Sequence, residues 1–329
     1  MDDLGSLPVP AAHLEERTVR REPSAHLSRR ALLRGLGAAG AVGLLAACGR
    51  DRGGSGADGP REASGSVGDV RQQIHDRLRL QQPLDLALVV PQSEYIAGVV
   101  NHYFFGLATQ QREFLDLEPD RLQVVRDEGL SVVGEPVEVT RYESFGQLPV
   151  YGADLTVDRP GNYWIVVTTA DHAAMGAVQV VADDESPVPQ RGAPFPRAET
   201  PTVDDPMGLQ QLCTREPPCT MHDVSLAGAL QAGRPIVLTV ATPEFCQTAI
   251  CGPVVDVIQG VKEQAGRDDV AWIHQEVYSD AGNTPVPLMA ELQLRSEPWT
   301  FFVAADGSLA DKIEGPTPAP VVAAIVAQL

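Results

Sequence analysis

Hydrophobic and polar positions alternate with a period of two through much of the first half of the chain. Leu84-Asp85-Leu86-Ala87-Leu88-Val89-Val90 opens as a half-buried strand that Pro91 stops, and Val124-Val125, Val137-Glu138-Val139 and Leu155-Thr156-Val157 repeat the pattern in shorter form. Asp158-Arg159-Pro160-Gly161 is a turn signal leading into Tyr163-Trp164-Ile165-Val166-Val167, and Ala177-Val178-Gln179-Val180-Val181 supplies a last strand. Short strands punctuated by turns predict an antiparallel sandwich over residues 69–183, preceded by a short amphipathic segment around Val70, Ile74 and Leu78. His102, Tyr103 and Phe105 fall on a strand and are expected in its core.

The pattern changes after residue 209. Ile236-Val237-Leu238-Thr239-Val240-Ala241 is a continuous apolar run suited to a strand buried on both faces. Val254, Val255, Val257, Ile258 and Val261 then share one helical face, and Asp269–His274 reads as the next strand of a right-handed βαβ unit. A short helix near Leu288–Leu294, a hairpin turning at Asp306-Gly307 and an amphipathic helix over Val321–Leu329 complete a β-α-β-α-β-β-α order. Between these regions, residues 184–209 hold six prolines and few large apolar side chains, which predicts a semi-extended linker.

A third regime occupies the N-terminal end. Arg29-Arg30 precede a weakly apolar run, Gly35–Ala47, that is too short to span a bilayer, and Leu45-Ala46-Ala47-Cys48 follows. This layout resembles a twin-arginine signal ending in a bacterial lipobox, which implies cleavage after residue 47 and lipid attachment at Cys48. Residues 48–68, rich in Gly, Ser, Asp and Arg, are expected to form a disordered tether. The expected location is therefore the extracytoplasmic face of the cell membrane. The chain carries 25 basic and 44 acidic residues; losing residues 1–47 removes six basic and five acidic ones and leaves a charge near −20. Such acidity argues against nucleic acid and against electrostatic attachment to anionic lipid.

Within residues 210–329, the element order resembles the thioredoxin-like fold, with Cys246 at the first strand-to-helix junction and Ser296-Glu297-Pro298-Trp299-Thr300 entering the hairpin. The resemblance covers about a third of the chain and implies Cys246 as the attacking cysteine and Pro298 as a cis-proline beside it. The Pro160–Val167 stretch is similar to the tyrosine-corner region of immunoglobulin-like domains. Together these describe a multidomain chain, an immunoglobulin-like antiparallel β-sandwich followed by a thioredoxin-like α/β domain. The whole arrangement resembles exported actinobacterial thioredoxin-domain lipoproteins.

Four residues separate Cys246 from Cys251, where the family usually has two. Five positions on a regular helix turn through about 500°, which points the side chains apart. If the helix starts near Pro253, both cysteines lie in the loop before it, and a reversible Cys246–Cys251 disulfide is expected. The buried acid that many thioredoxins carry six residues before the attacking cysteine is replaced by Val240, with Glu244 or Glu297 as the acids that would have to assist.

Cys213 and Cys219 are expected as a local structural disulfide, with exchange against Cys246 as the alternative. No cofactor or metal is expected. A copper carrier of the Sco type would draw on Cys246, Cys251 and His274, while His222 and His274 show no zinc-type spacing. The expected activity is thiol-disulfide exchange with exported protein thiols or disulfides and a redox partner. A non-catalytic binding protein stapled by two disulfides is the rival reading.

Overall fold

The computed structural model describes residues 67–145, 148–246, 250–280 and 284–329. Arg29, Arg30, Cys48 and most of the tether lie outside the described residues. The described residues belong to one compact unit. No helix among the described residues is long and apolar enough to cross a membrane.

The first domain starts with α1 (Val67–Leu78), whose Ile74 is buried with Val70 and Leu78 packed around it, as the 3.6-residue spacing predicts. Ten strands follow: β1 (Leu84–Val89), β2 (Tyr95–Ile96), β3 (Val100–Ala108), β4 (Phe114–Leu115), β5 (Pro119–Arg126), β6 (Val132–Glu138), β7 (Thr140–Phe145), β8 (Leu148–Thr156), β9 (Gly161–Thr169) and β10 (Ala173–Val181). Hydrogen bonding links them in the order β6-β5-β9-β10-β1-β3-β8-β7, with β2 on β10 and β4 on β3. Leu122 and Val124 of β5 and Tyr163 and Ile165 of β9 share one core with Tyr103 and Phe105 of β3 and Tyr151 of β8. The sheet therefore packs against itself as a sandwich.

Two pairings depart from the antiparallel expectation, since β1 and β2 both run parallel to β10. Hairpin loops impose antiparallel pairing only on neighbours in sequence, and β10 lies more than seventy residues from either strand. Tyr163 donates its hydroxyl to Arg159 O at 2.7 Å, the local bond expected of a tyrosine corner.

The second domain holds α2 (Leu226–Gln231), β11 (Ile236–Val240), α3 (Cys251–Ala265), β12 (Ala271–Gln275), α4 (Pro287–Glu291), β13 (Trp299–Val303), β14 (Leu309–Glu314) and α5 (Ala319–Val326). The sheet order is β12-β11-β13-β14, with β11 parallel to β12 and β13 antiparallel to both of its neighbours. Every residue of β11, β12 and β13 is buried, which accounts for their mainly apolar sequences, broken by Thr239, His274, Gln275 and Thr300. Val254, Val255 and Ile258 of α3 pack with Val322 and Ile325 of α5 on one face; Leu226 of α2 and Leu288 of α4 cover the other. The element order matches the one that the thioredoxin-like resemblance implies. The sequence reading lacks α2, which Ser225 caps by accepting from Gly228 N at 3.1 Å.

Residues 184–209 stay irregular, as their prolines dictate, but they are anchored on the second domain. Phe195 packs on Phe301 at 5.3 Å between ring centroids, and Leu226 N donates to Thr200 Oγ1 at 2.9 Å. Backbone hydrogen bonds, such as Gly192 N to Leu309 O and Phe195 N to Gly307 O, both at 2.8 Å, add to these contacts.

The two domains meet along β14. Phe104 and Val150 of the sandwich join the core that contains Phe302 and Ile313. Around this patch, Glu314 accepts from Ser93 N at 2.6 Å and Lys312 pairs with Glu94 at 3.2 Å. Asp311 accepts from Arg191 Nε at 2.7 Å and lies 3.1 Å from His102 Nε2, whose Nδ1 contacts Asp154 at 2.7 Å. His102 is thus an interface residue rather than core. Burial opposes its charge, but hydrogen bonds and attraction from Asp154 and Asp311 outweigh that and raise its pKa from 6.5 to about 9.

A histidine with a raised folded-state pKa adds stability that is complete below the unfolded value near 6.5 and disappears as pH rises through about 9. The difference in thermal midpoint between wild type and His102→Gln should therefore be largest near pH 6 and shrink toward pH 10. A difference that stays constant across that range would refute the charged interface pair.

Candidate functional site

The site forms where β11 ends. Cys246 lies in the loop after the strand, half-buried, and its Sγ is bonded to that of Cys251 at 2.06 Å. Helix α3 starts at Cys251 rather than near Pro253, and its first intrahelical bond runs from Val254 N to Ile250 O at 2.9 Å. Cys246 stands outside the helix, so the geometric bar to pairing two cysteines five apart on a helix does not apply. Pro253 falls in the first turn, where its missing N–H leaves no hydrogen bond unmade. Cys251 is fully buried.

Cys246 opens onto a cleft lined by Tyr278, Met289, Arg295, Ser296 and Glu297. The Glu297–Pro298 peptide is cis, and Trp299 begins β13 directly after it. Glu297 directs its carboxylate at the disulfide: one of its oxygens and both sulfurs all lie within 4.8 Å of one another. Thr242 N donates to Glu297 Oε2 at 2.7 Å and holds the carboxylate there. Burial, aided by repulsion from Glu276, outweighs the Thr242 hydrogen bond and raises the Glu297 pKa to about 7. An acid therefore does reach the sulfurs, from the residue before Pro298 instead of from the strand position that Val240 fills. The sequence offers Glu297 only as a candidate acid, and it is the fold that brings it to the sulfurs. Glu244 is exposed, and its backbone N–H donates to Thr214 Oγ1 at 3.1 Å.

Cys213 and Cys219 lie together but are not bonded. Their sulfurs are 3.7 Å apart, well beyond the disulfide length of about 2.05 Å, which corrects the expected bridge. His274 Nδ1 lies 3.6 Å from Cys213 Sγ and 3.3 Å from Cys219 Sγ, and His222 Nε2 lies 3.2 Å from Cys219 Sγ. The Cys219 thiol donating to Cys213 holds the Cys213 pKa well below the ordinary thiol range and pushes that of Cys219 above it. His274 therefore groups with Cys213, Cys219 and His222, whereas Cys246 and Cys251 group with Glu297. The copper set of Cys246, Cys251 and His274 is not brought together.

No family model matches the chain, and no curated protein does. Among solved structures, the chain is similar to a thioredoxin-family thiol:disulfide interchange protein from Chlorobium tepidum TLS, with 14% identity, a TM-score of 0.30, and coverage of 42% of this chain and 97% of that one. It is similar to StoA from Bacillus subtilis at 16% identity and a TM-score of 0.27, covering 35% and 95% of the two chains. It is also similar to the Lin-41 filamin domain at 12% identity and a TM-score of 0.21, covering 29% and 91%.

Proposed function

We propose that this chain is a thiol-disulfide oxidoreductase with a thioredoxin-like C-terminal domain. In this reading Cys246, half-buried at the cleft, is the exchanging sulfur, Cys251 the buried resolving sulfur, and Glu297 the acid that moves the proton. The observation that carries the reading is an acid of near-neutral pKa placed at a disulfide whose outer sulfur opens onto a cleft. A sulfur at a helix start also gains from the partial positive charge of unpaired N–H groups, which favours thiolate.

The exchange proceeds in two steps. A substrate thiolate attacks Cys246 Sγ; the Cys246–Cys251 bond breaks, and its electron pair leaves on Cys251 as thiolate. Protonated Glu297 supplies the proton that neutralises it. The substrate's second thiolate then attacks the mixed disulfide and releases Cys246 as thiolate. The substrate dithiol ends oxidised and the cysteine pair reduced; the reverse sequence reduces a substrate disulfide. An acid near pKa 7 serves both directions at neutral pH.

The Arg29-Arg30 signal and the lipobox at Cys48 extend the proposal to a lipid-anchored protein on the extracytoplasmic face, acting on exported protein thiols or disulfides. An oxidising compartment is the setting in which such a pair operates.

A redox titration of the full chain should place the Cys246–Cys251 couple between about −120 and −270 mV; a value below about −300 mV would leave only a structural staple. Cys251→Ser should accumulate mixed disulfides through Cys246, seen by mass spectrometry, and Cys246→Ser should not. The pH profile of exchange should inflect near pH 7, and Glu297→Gln should abolish the inflection and slow exchange on the order of 10²-fold. An unchanged profile in that variant would remove Glu297 from the chemistry.

A further inference from the structure

The disulfide chemistry does not use Cys213, Cys219, His222 or His274, although all four side chains are buried. Two sulfurs and two imidazole nitrogens converge on one point. We propose that these residues form a closed tetrahedral site for a structural Zn²⁺ ion.

Zinc binds sulfur at about 2.3 Å and imidazole nitrogen at about 2.0–2.1 Å, so a tetrahedral centre sets its sulfurs about 3.8 Å apart and each sulfur about 3.6 Å from each nitrogen. The corresponding separations here are 3.7 Å between the sulfurs and 3.6, 3.3 and 3.2 Å between sulfur and nitrogen. A disulfide would need a single 2 Å contact, and it would leave the two imidazoles with nothing to converge on.

Surrounding groups fix the ligands as an outer shell does in metal centres. His274 donates Nε2–H to Ala241 O at 2.9 Å, which turns Nδ1 toward the sulfurs. Cys219 N donates to Cys213 Sγ at 3.4 Å, a bond that favours thiolate. His222 Nε2 faces the sulfurs, while its Nδ1 is buried and has no hydrogen-bond partner. The segment carrying three of the ligands is itself tied to α3: Arg215 bonds Asp256 at 2.6 Å and Thr220 N donates to Gln259 at 3.0 Å.

Charge selects the ion. Two thiolates neutralise a divalent cation, whereas Cu(I) would leave a net negative charge buried beside Glu276, whose Oε1 lies 4.0 Å from His274 Nε2. A closed four-ligand set of two sulfurs and two nitrogens also fits zinc held for structure, with no open position for chemistry.

The test is Zn²⁺ titration of the full chain with Cys213 and Cys219 reduced, against a competing chromophoric chelator, and Co²⁺ substitution read by thiolate-to-cobalt charge-transfer absorption. A single ion per chain is expected, retained in Cys246→Ser and weakened at least about a hundredfold in His274→Ala, beyond the loss typical of outer-shell partners. Alkylation of the wild-type chain provides a readout that needs no variant: Zn²⁺ should protect Cys213 and Cys219, and a chelator should expose them. Absence of protection, a Cys213–Cys219 disulfide forming in air with Zn²⁺ present, or isolation of the chain with copper in place of zinc would each overturn the assignment.

Discussion

Backbone groups at the end of β11 must find partners, because Ala241 and Thr242 are buried and an unpaired buried amide or carbonyl costs about 1–3 kcal/mol. Here side chains supply two of those partners. Ala241 O accepts from His274, and Thr242 N donates to Glu297. One short stretch of backbone thus orients an imidazole toward the Cys213 and Cys219 sulfurs and a carboxylate toward the Cys246–Cys251 bond. The loop that carries Cys246 starts at this point, so its position depends on strands that cannot shift without breaking both contacts.

The same constraint links the outer chain to the site. Thr214, next to Cys213, donates its N–H to Glu276 at 2.6 Å and accepts from Glu244 N at 3.1 Å. Glu276 is buried, and burial raises its pKa despite these bonds and attraction from His274. A second carboxyl so near in turn helps to raise the pKa of Glu297. The proton affinity of the residue beside the disulfide is therefore partly set by the segment that bears Cys213, through charge rather than contact.

Much of this was legible in the chain. A compact β-branched run located β11, the mainly apolar stretch ending at His274 located β12, the helical spacing after Cys251 located α3, and Pro298 marked the start of β13. What escaped the sequence was long-range. Cys213, Cys219 and His222 are close in sequence, but His274 lies more than fifty residues further on within a strand, where apolar alternation says nothing about a polar cluster. The anchored course of residues 184–209 escaped for a similar reason: a proline-rich composition identifies an extended chain but not the surface that captures it. The parallel β1–β10 pairing and the interface role of His102 likewise depend on partners that no local pattern names.

The sandwich covers one edge of the second domain's sheet. β14 is an edge strand, and exposed edges invite pairing with other chains unless they are covered or charged. Asp311, Lys312 and Glu314 each pair with residues of the first domain or its following segment, while Phe104 and Val150 bury apolar surface against the same side. Gly315, just past the strand, has φ +85°, and a Cβ there would lie 2.8 Å from Pro91 Cγ, so glycine serves both the turn and the close approach of the two domains. Because Gly315 N donates to Pro298 O at 2.8 Å, the edge that the sandwich covers is continuous with the backbone beside Glu297. Among the described residues that line the cleft at Cys246 none comes from the first domain, whose contacts are made instead with the strand beside Glu297.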